Sequence, residues 1–154
     1  MRVSLRVLAF ILPALFFSHC EWLGTEDPIN NEPVDIPDRA FLYDLITLGI
    51  DTNGDSIISY SEAEAATSLD ITNFYGNYIS DITGIEAFKN LSSLIFRCNV
   101  IVELDLSNNT VLKQLIVFDN ALQNIDVSNC IELEELHVGS EGYCEKNNHS
   151  YPYF

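Results

Sequence analysis

From residue 69 onward, apolar positions return every 21 residues. Leu91, Leu112 and Leu133 keep that spacing, as do Leu94, Leu115 and Leu136, and then Phe96, Val117 and Val138. Asn99 and Asn120 follow in step, then Ile101 and Leu122, then Leu104 and Ile125. Leu-Asp-Leu-Ser-Asn at 104–108 comes back as Ile-Asp-Val-Ser-Asn at 125–129. A leading copy with spacing 22 is marked by Leu69, Phe74, Asn77, Ile79 and Ile82. A unit this short cannot enclose its own apolar face, so the copies must stack and share a core. The alternation through Leu94 and Phe96 predicts short strands, laid parallel on a concave face. Each Asn is expected to satisfy backbone groups where the chain leaves its strand. By register, the residues between the inward ones face solvent in three ranks. These are Ser93, Gln114 and Glu135; Ile95, Ile116 and His137; and Arg97, Phe118 and Gly139. Ile95, Ile116 and Phe118 are expected as exposed apolar groups, with Arg97 and His137 beside them. An apolar cluster with a charged rim suits a protein partner. The alternative is that β-branched and aromatic residues simply suit strands.

The copy Leu91-x-x-Leu94-x-Phe96-x-x-Asn99-x-Ile101 and its successor at 112–122 fit the leucine-rich-repeat consensus. This part resembles bacterial leucine-rich repeats of the internalin type. The last copy decays, with Glu141 where Asn is expected and Lys146 where an apolar residue is expected.

Upstream the period changes. Phe41, Leu42, Leu45 and Leu48 recur at helical spacing and predict an amphipathic helix over about 38–50, capped by Asp38. It runs into Asp-Thr-Asn-Gly-Asp-Ser-Ile-Ile-Ser-Tyr-Ser-Glu at 51–62, and a second helix begins near Tyr60. Oxygen-bearing side chains at alternate positions of a curled loop point inward, which suits a hard cation wanting six to eight oxygens. The stretch resembles an EF-hand calcium loop. That resemblance implies side-chain ligands from Asp51, Asn53 and Asp55, the carbonyl of Ile57, Ser59 directly or through water, and both oxygens of Glu62. Position six is Ser56 where the family has Gly. A non-Gly residue in a left-handed turn costs about 1–2 kcal/mol, or about tenfold in affinity. The metal-free alternative is turn chemistry at 51–55 followed by a Ser59-x-x-Glu62 capping box.

The first residues add a compartment. Arg2 and Arg6 precede an eleven-residue apolar run, Val7 to Phe17, with Pro13 inside it. That length suits an export signal and not a membrane span. Phe-Ser-His-Cys at 17–20 resembles the lipobox of bacterial lipoproteins, although His19 replaces the usual small residue. The resemblance implies lipidation of Cys20 and anchorage without spanning. The expected organisation is a signal peptide at 1–19, an acidic Pro-containing tether at 20–37, a helix-loop-helix at 38–68, repeats at 69–143 and a tail at 144–154. The fold expected is an α/β repeat in which the EF-hand-like helix-loop-helix caps a short solenoid. The combination resembles Bacteroidota-type secreted lipoproteins, anchored at the outer membrane or cell surface, with calcium in a structural role.

Charge narrows the partners. The 154 residues hold seven basic and 23 acidic side chains, a net charge of −16. Nucleic acid is excluded as a default ligand, because its phosphates would be repelled. Removal of 1–19 leaves Cys98, Cys130 and Cys144 beside Cys20. Free, partly buried thiols are expected, with a Cys130–Cys144 bridge as the alternative in an oxidising compartment. His137 and His149 lack metal-ligand spacing, and no nucleophile is set beside a base, so catalysis is not expected. The reading is a non-catalytic module for protein binding or adhesion. The rivals are a glycan-binding surface protein of a polysaccharide uptake system and a truncated relative without independent function.

Overall fold

The computed structural model describes residues 31–73, 76–140, 142 and 144. The expected export signal, Cys20, most of the tether, Phe74, Glu141, Lys146 and His149 lie outside them. Among the described residues, four strands make one sheet in the order β1-β2-β3-β4, all parallel. They are β1 (Ser68–Thr72), β2 (Ser93–Arg97), β3 (Gln114–Phe118) and β4 (Glu135–Gly139). The chain is a parallel-strand solenoid of about three turns.

The register follows the sequence period with one exception. Leu94 pairs with Leu115 and Leu136, and Phe96 with Val117 and Val138. In the first turn Leu69 lies beside Leu94 and Ile71 beside Phe96. The strand offset there is 25 residues, not the 22 read from the leading copy. The later part of that turn does keep the shorter spacing, since Val100 donates to the Ile79 carbonyl as Ala121 does to Ile101. The first turn therefore carries three extra residues between strand and return, and Asn77 is exposed. Ile71 takes the inward place that the period assigned to Phe74.

Inward residues of β1 to β3 fill a continuous core with Ile79, Ile82, Ile85 and Leu91, then Ile101, Leu104, Leu106 and Leu112. Burial of side chains of this size contributes about 1.5–3 kcal/mol each. Leu136 and Val138 of β4 stay 45% and 42% exposed, with no further strand beside β4 among the described residues.

Asn99 and Asn120 form the expected ladder. Asn99 Nδ2 donates to the Arg97 carbonyl, and its Oδ1 accepts from Ile79 N and Asn73 Nδ2. Asn120 repeats this against Phe118, Phe96 and Ile101. A second rung lies opposite. Asn109, fully buried, donates to the Ile85 and Phe88 carbonyls. Cys130, 21 residues on in the same register, is also buried.

Two helices close on the first turn. α1 (Arg39–Thr47) starts at Asp38, whose Oδ1 accepts from Ala40 N and Phe41 N. It ends three residues before the predicted limit, as Gly49 takes φ 79 and turns the chain out. Leu48 is consequently exposed and not part of the apolar face. Phe41 and Leu45 are fully buried, and the Phe41 ring stands 6.1 Å from that of Phe96. α2 (Tyr60–Ala65) is six residues long. Asp38 Oδ2 reaches across to Ser80 N and Asp81 N, while Asn73 Nδ2 holds Asp44. The tether is shorter than expected. Val34 N donates to the Ile58 carbonyl, Tyr60 N donates to Glu32, and Val34 is buried. Residues 32–36 thus belong to the folded unit.

Candidate functional site

The concave ribbon places the three expected ranks side by side. In the first, Ser93 Oγ donates to Gln114 Oε1 at 2.7 Å, and Gln114 Nε2 donates to Glu135 Oε2 at 2.6 Å. This chain of amide, hydroxyl and carboxylate is strung across three strands. It fixes rotamers that would otherwise be free. The second rank is Ile95, Ile116 and His137. The third is Arg97, Phe118 and Gly139. His137 stands edge-on to Phe118 with ring centroids 5.9 Å apart, and its Nε2 lies 3.4 Å from Glu135 Oε1.

One expectation is corrected here. Ile116 is only 8% exposed. It lies in the middle of its rank, walled by Ile95 and His137 across the sheet and by Gln114 and Phe118 along its own strand. The accessible apolar surface is carried by half-buried Ile95 and Phe118. β1 extends the ribbon with residues that the 22-residue spacing misplaced. Asp70 lies beside Ile95, and Thr72 beside Arg97. Thr72 Oγ1 donates to Asp70 Oδ1. The apolar centre therefore has an acid on each outer strand, Asp70 on β1 and Glu135 on β4, with Arg97 on β2 and His137 beside Glu135.

The loop at 51–62 curls as its sequence demands. Asp51 accepts from Gly54 N and Ser56 N, Asn53 Oδ1 from Asp55 N, and Asp55 Oδ1 from Ile57 N. Ser56 takes φ 66, the left-handed turn for which a glycine is better suited. Glu62, buried, reaches back into the loop. Its Oε1 accepts from Thr52 N and Oγ1, and its Oε2 from Ser59 N and Oγ. With Ser59 Oγ on Glu62 N this is a complete capping box. Burial raises the Glu62 pKa, but the hydrogen bonds from Ser59 and Thr52 outweigh it and hold the carboxyl at about 2. The donor set consists of oxygens throughout, as calcium prefers. Each carboxylate oxygen has two lone-pair sites; those of Asp51 and Asp55 each accept one donor and keep a site open, whereas both Glu62 oxygens are filled by donors from Thr52, Asn53 and Ser59. Ile57 is 48% exposed at the rim of the loop.

The cysteines differ from expectation. Cys98 and Cys144 are joined, with Cα atoms 5.6 Å apart, and Cys130 is the free thiol among the described residues. The pairing crosses 46 residues, which is not a multiple of the period. Ser140 and Gly142 lie on Asp119, the residue that follows β3, and Cys144 meets Cys98, the residue that follows β2. Asp119 is buried and accepts from Ser140 Oγ and Gly142 N. Burial, with Asp126 adding to it, pushes the Cys130 thiol pKa up and keeps it protonated.

No family model matches the chain, and no curated protein matches its sequence. Solved structures do. The functional domain of InlJ from Listeria monocytogenes, which includes a cysteine ladder, is 35% identical over 60% of this chain, with TM-score 0.51. The internalin inlF of the same species is 25% identical over 67% of this chain, with TM-score 0.58. The CBM51-2 and INT domains of ZmpB from Clostridium perfringens are 25% identical over 59% of it, with TM-score 0.50. The fold is internalin-like. The chain spans about a fifth of the InlJ domain and under a third of inlF, at 21% and 30%.

Proposed function

We propose that this chain is a non-catalytic protein-binding or adhesion module that works through its concave ribbon. The observation that carries this reading is the ordered rank structure of that face. Ile95 and Phe118 offer apolar contact, Arg97 and His137 stand beside them, and the Ser93–Gln114–Glu135 chain holds the surrounding polar groups in place. A rigid face costs little side-chain entropy on association. Aromatic and arginine side chains are the usual anchors of protein interfaces. The internalin-like fold supports the same class of role.

The proposal extends to placement. An exported chain lipidated at Cys20 would carry the ribbon on the cell envelope, on a tether ending near residue 31. The helix pair serves as the cap of the first turn, and calcium in the 51–62 loop is structural. Its ligands are Asp51, Asn53, Asp55, the Ile57 carbonyl, Ser59 and Glu62. When bound, the ion supplies charge neutralisation among crowded carboxylates. The chain's own residues fix the loop by the hydrogen bonds already described.

The test is binding of the full chain to the surface of intact cells, compared with a Phe118→Ser, Arg97→Glu double variant. Both positions are partly exposed, so the variant should unfold at nearly the wild-type temperature. The expected result is loss of binding by tenfold or more, on the order of the 1.4 kcal/mol that a single interface anchor contributes. Undiminished binding would move the site off the ribbon.

A further inference from the structure

The residue that ends each strand forms a rung of its own. Cys98 follows β2 and Asp119 follows β3, and their amides donate to the last carbonyls of the next strands, Phe118 and Gly139. Both take left-handed backbone, φ 56 and 51. L-residues avoid that region, so the side chains placed there call for an explanation. Cys144 returns to the same spot. Its Sγ lies 3.4 Å from Asp119 Oδ2, and all three residues are buried. One ligand atom from each gathers within 4.8 Å. A tetrahedral zinc with sulfur at about 2.3 Å and oxygen at about 2.0–2.2 Å sets its ligand atoms roughly 3.5–3.8 Å apart. The spacing between carboxylate and sulfur is already close to that.

We propose that Cys98, Asp119 and Cys144 form a two-state site: a disulfide when oxidised and, when reduced, a zinc site of two thiolates and one carboxylate. The exchange balances. A dithiol reductant breaks the Cys98–Cys144 bond, passes two electrons and two protons to the sulfurs, and leaves as its own disulfide. Zinc then replaces the two thiol protons, which are released to solvent. The Asp119 carboxylate takes the third position and water the fourth. Ser140 Oγ and Gly142 N, which donate to Asp119, orient the carboxylate from behind, as partners of metal ligands commonly do. Either state ties Cys144 back to the residue that follows β2. That tie would thus survive a change of redox compartment.

The experiment uses the full chain, reduced with dithiothreitol and desalted without oxygen. Zinc alone is titrated against a chromophoric chelator, and cobalt in parallel for its thiolate-to-metal absorption band. The expected result is one equivalent of zinc on the reduced chain and none at this site on the oxidised chain, with a cobalt–thiolate band. Cys98→Ser or Cys144→Ser should abolish both. Cys130→Ser should change neither. Asp119→Asn should weaken zinc by about tenfold or more while the two sulfurs still pair on oxidation. The proposal fails if the reduced wild-type chain takes no more zinc than Cys98→Ser. It fails equally if the cobalt band follows Cys130, or if Asp119→Asn leaves the affinity unchanged. Far-ultraviolet circular dichroism of each variant separates a lost ligand from a lost fold.

Discussion

Asn99 shows how much of this architecture rests on single side chains. It is fully buried, and it joins three segments by serving Arg97, Ile79 and Asn73 together. Each bond contributes about 0.5–1.5 kcal/mol net, and a buried group left unpaired costs about 1–3 kcal/mol. Asn99→Ala should therefore destabilise the chain by about 2–4 kcal/mol, read as a fall in the urea midpoint with unchanged slope. A loss under about 0.5 kcal/mol would mean that water replaces the side chain at no cost. Asn99 and Asn120 were legible in the sequence, because a polar residue at a fixed place in an apolar repeat needs a buried partner. Asn109 was not singled out, since only one copy carries Asn there. Asp119 and the Cys98–Cys144 pairing were not read from the sequence, because the contact that joins them is made by residues outside the period. Ile116 was misread for a related reason: alternation says which face a residue is on, but not how far its neighbours cover it.

Among the elements, α1 and the 51–62 loop carry the next two predictions. Asp38 caps α1 and also ties it to Ser80 and Asp81 of the first turn. Burial raises its pKa, but the backbone hydrogen bonds from Ser80, Phe41, Asp81 and Ala40 prevail and lower it below 3.8. A depressed carboxyl contributes stability that is present above its unfolded pKa and lost as pH falls through the folded value. Wild-type stability should thus drop below about pH 4, and Asp38→Asn should be less stable near neutrality with a flatter acid limb. Asp44 works in the opposite sense, because burial raises its pKa and its charge disfavours the native state. The comparison of Asp38→Asn with wild type at each pH isolates the Asp38 effect. An acid limb unchanged by Asp38→Asn would contradict the assignment. For the loop, calcium at about ten times its dissociation constant should add about 1.4 kcal/mol to the native state. In thermal unfolding this is a rise of several degrees over EDTA, which Asp51→Ala removes. No rise would leave the capping box of Ser59 and Glu62 as the whole account of that segment. The sequence marked both helices and the loop but overran the first helix, because Gly49 was not weighed as a stop. It also placed 32–36 in the tether, since nothing local shows that Val34 pairs with Ile58.

At the scale of the whole molecule, the 21-residue period made the solenoid legible before any coordinate. Register, inward faces and the concave ranks all follow from it over β2 to β4. The period failed at the first turn, where three extra residues shift β1 and bring Asp70 and Thr72 onto the ribbon. The last strand leaves Leu136 and Val138 open; β4 is held by its pairing with β3, and beyond it the Cys98–Cys144 bond adds a covalent tie. A net charge of −16 favours cationic partners by long-range attraction, so association should slow as salt rises. The central claim is that partners bind on the concave ribbon. The most direct measurement places a photo-activated cross-linking side chain at position 118, on the ribbon, or at 108, exposed on the return side, in the full chain on intact cells. The account predicts a discrete cross-linked species from 118 and none from 108. Cross-linking from 108 alone would contradict it and put the binding face on the opposite side of the solenoid.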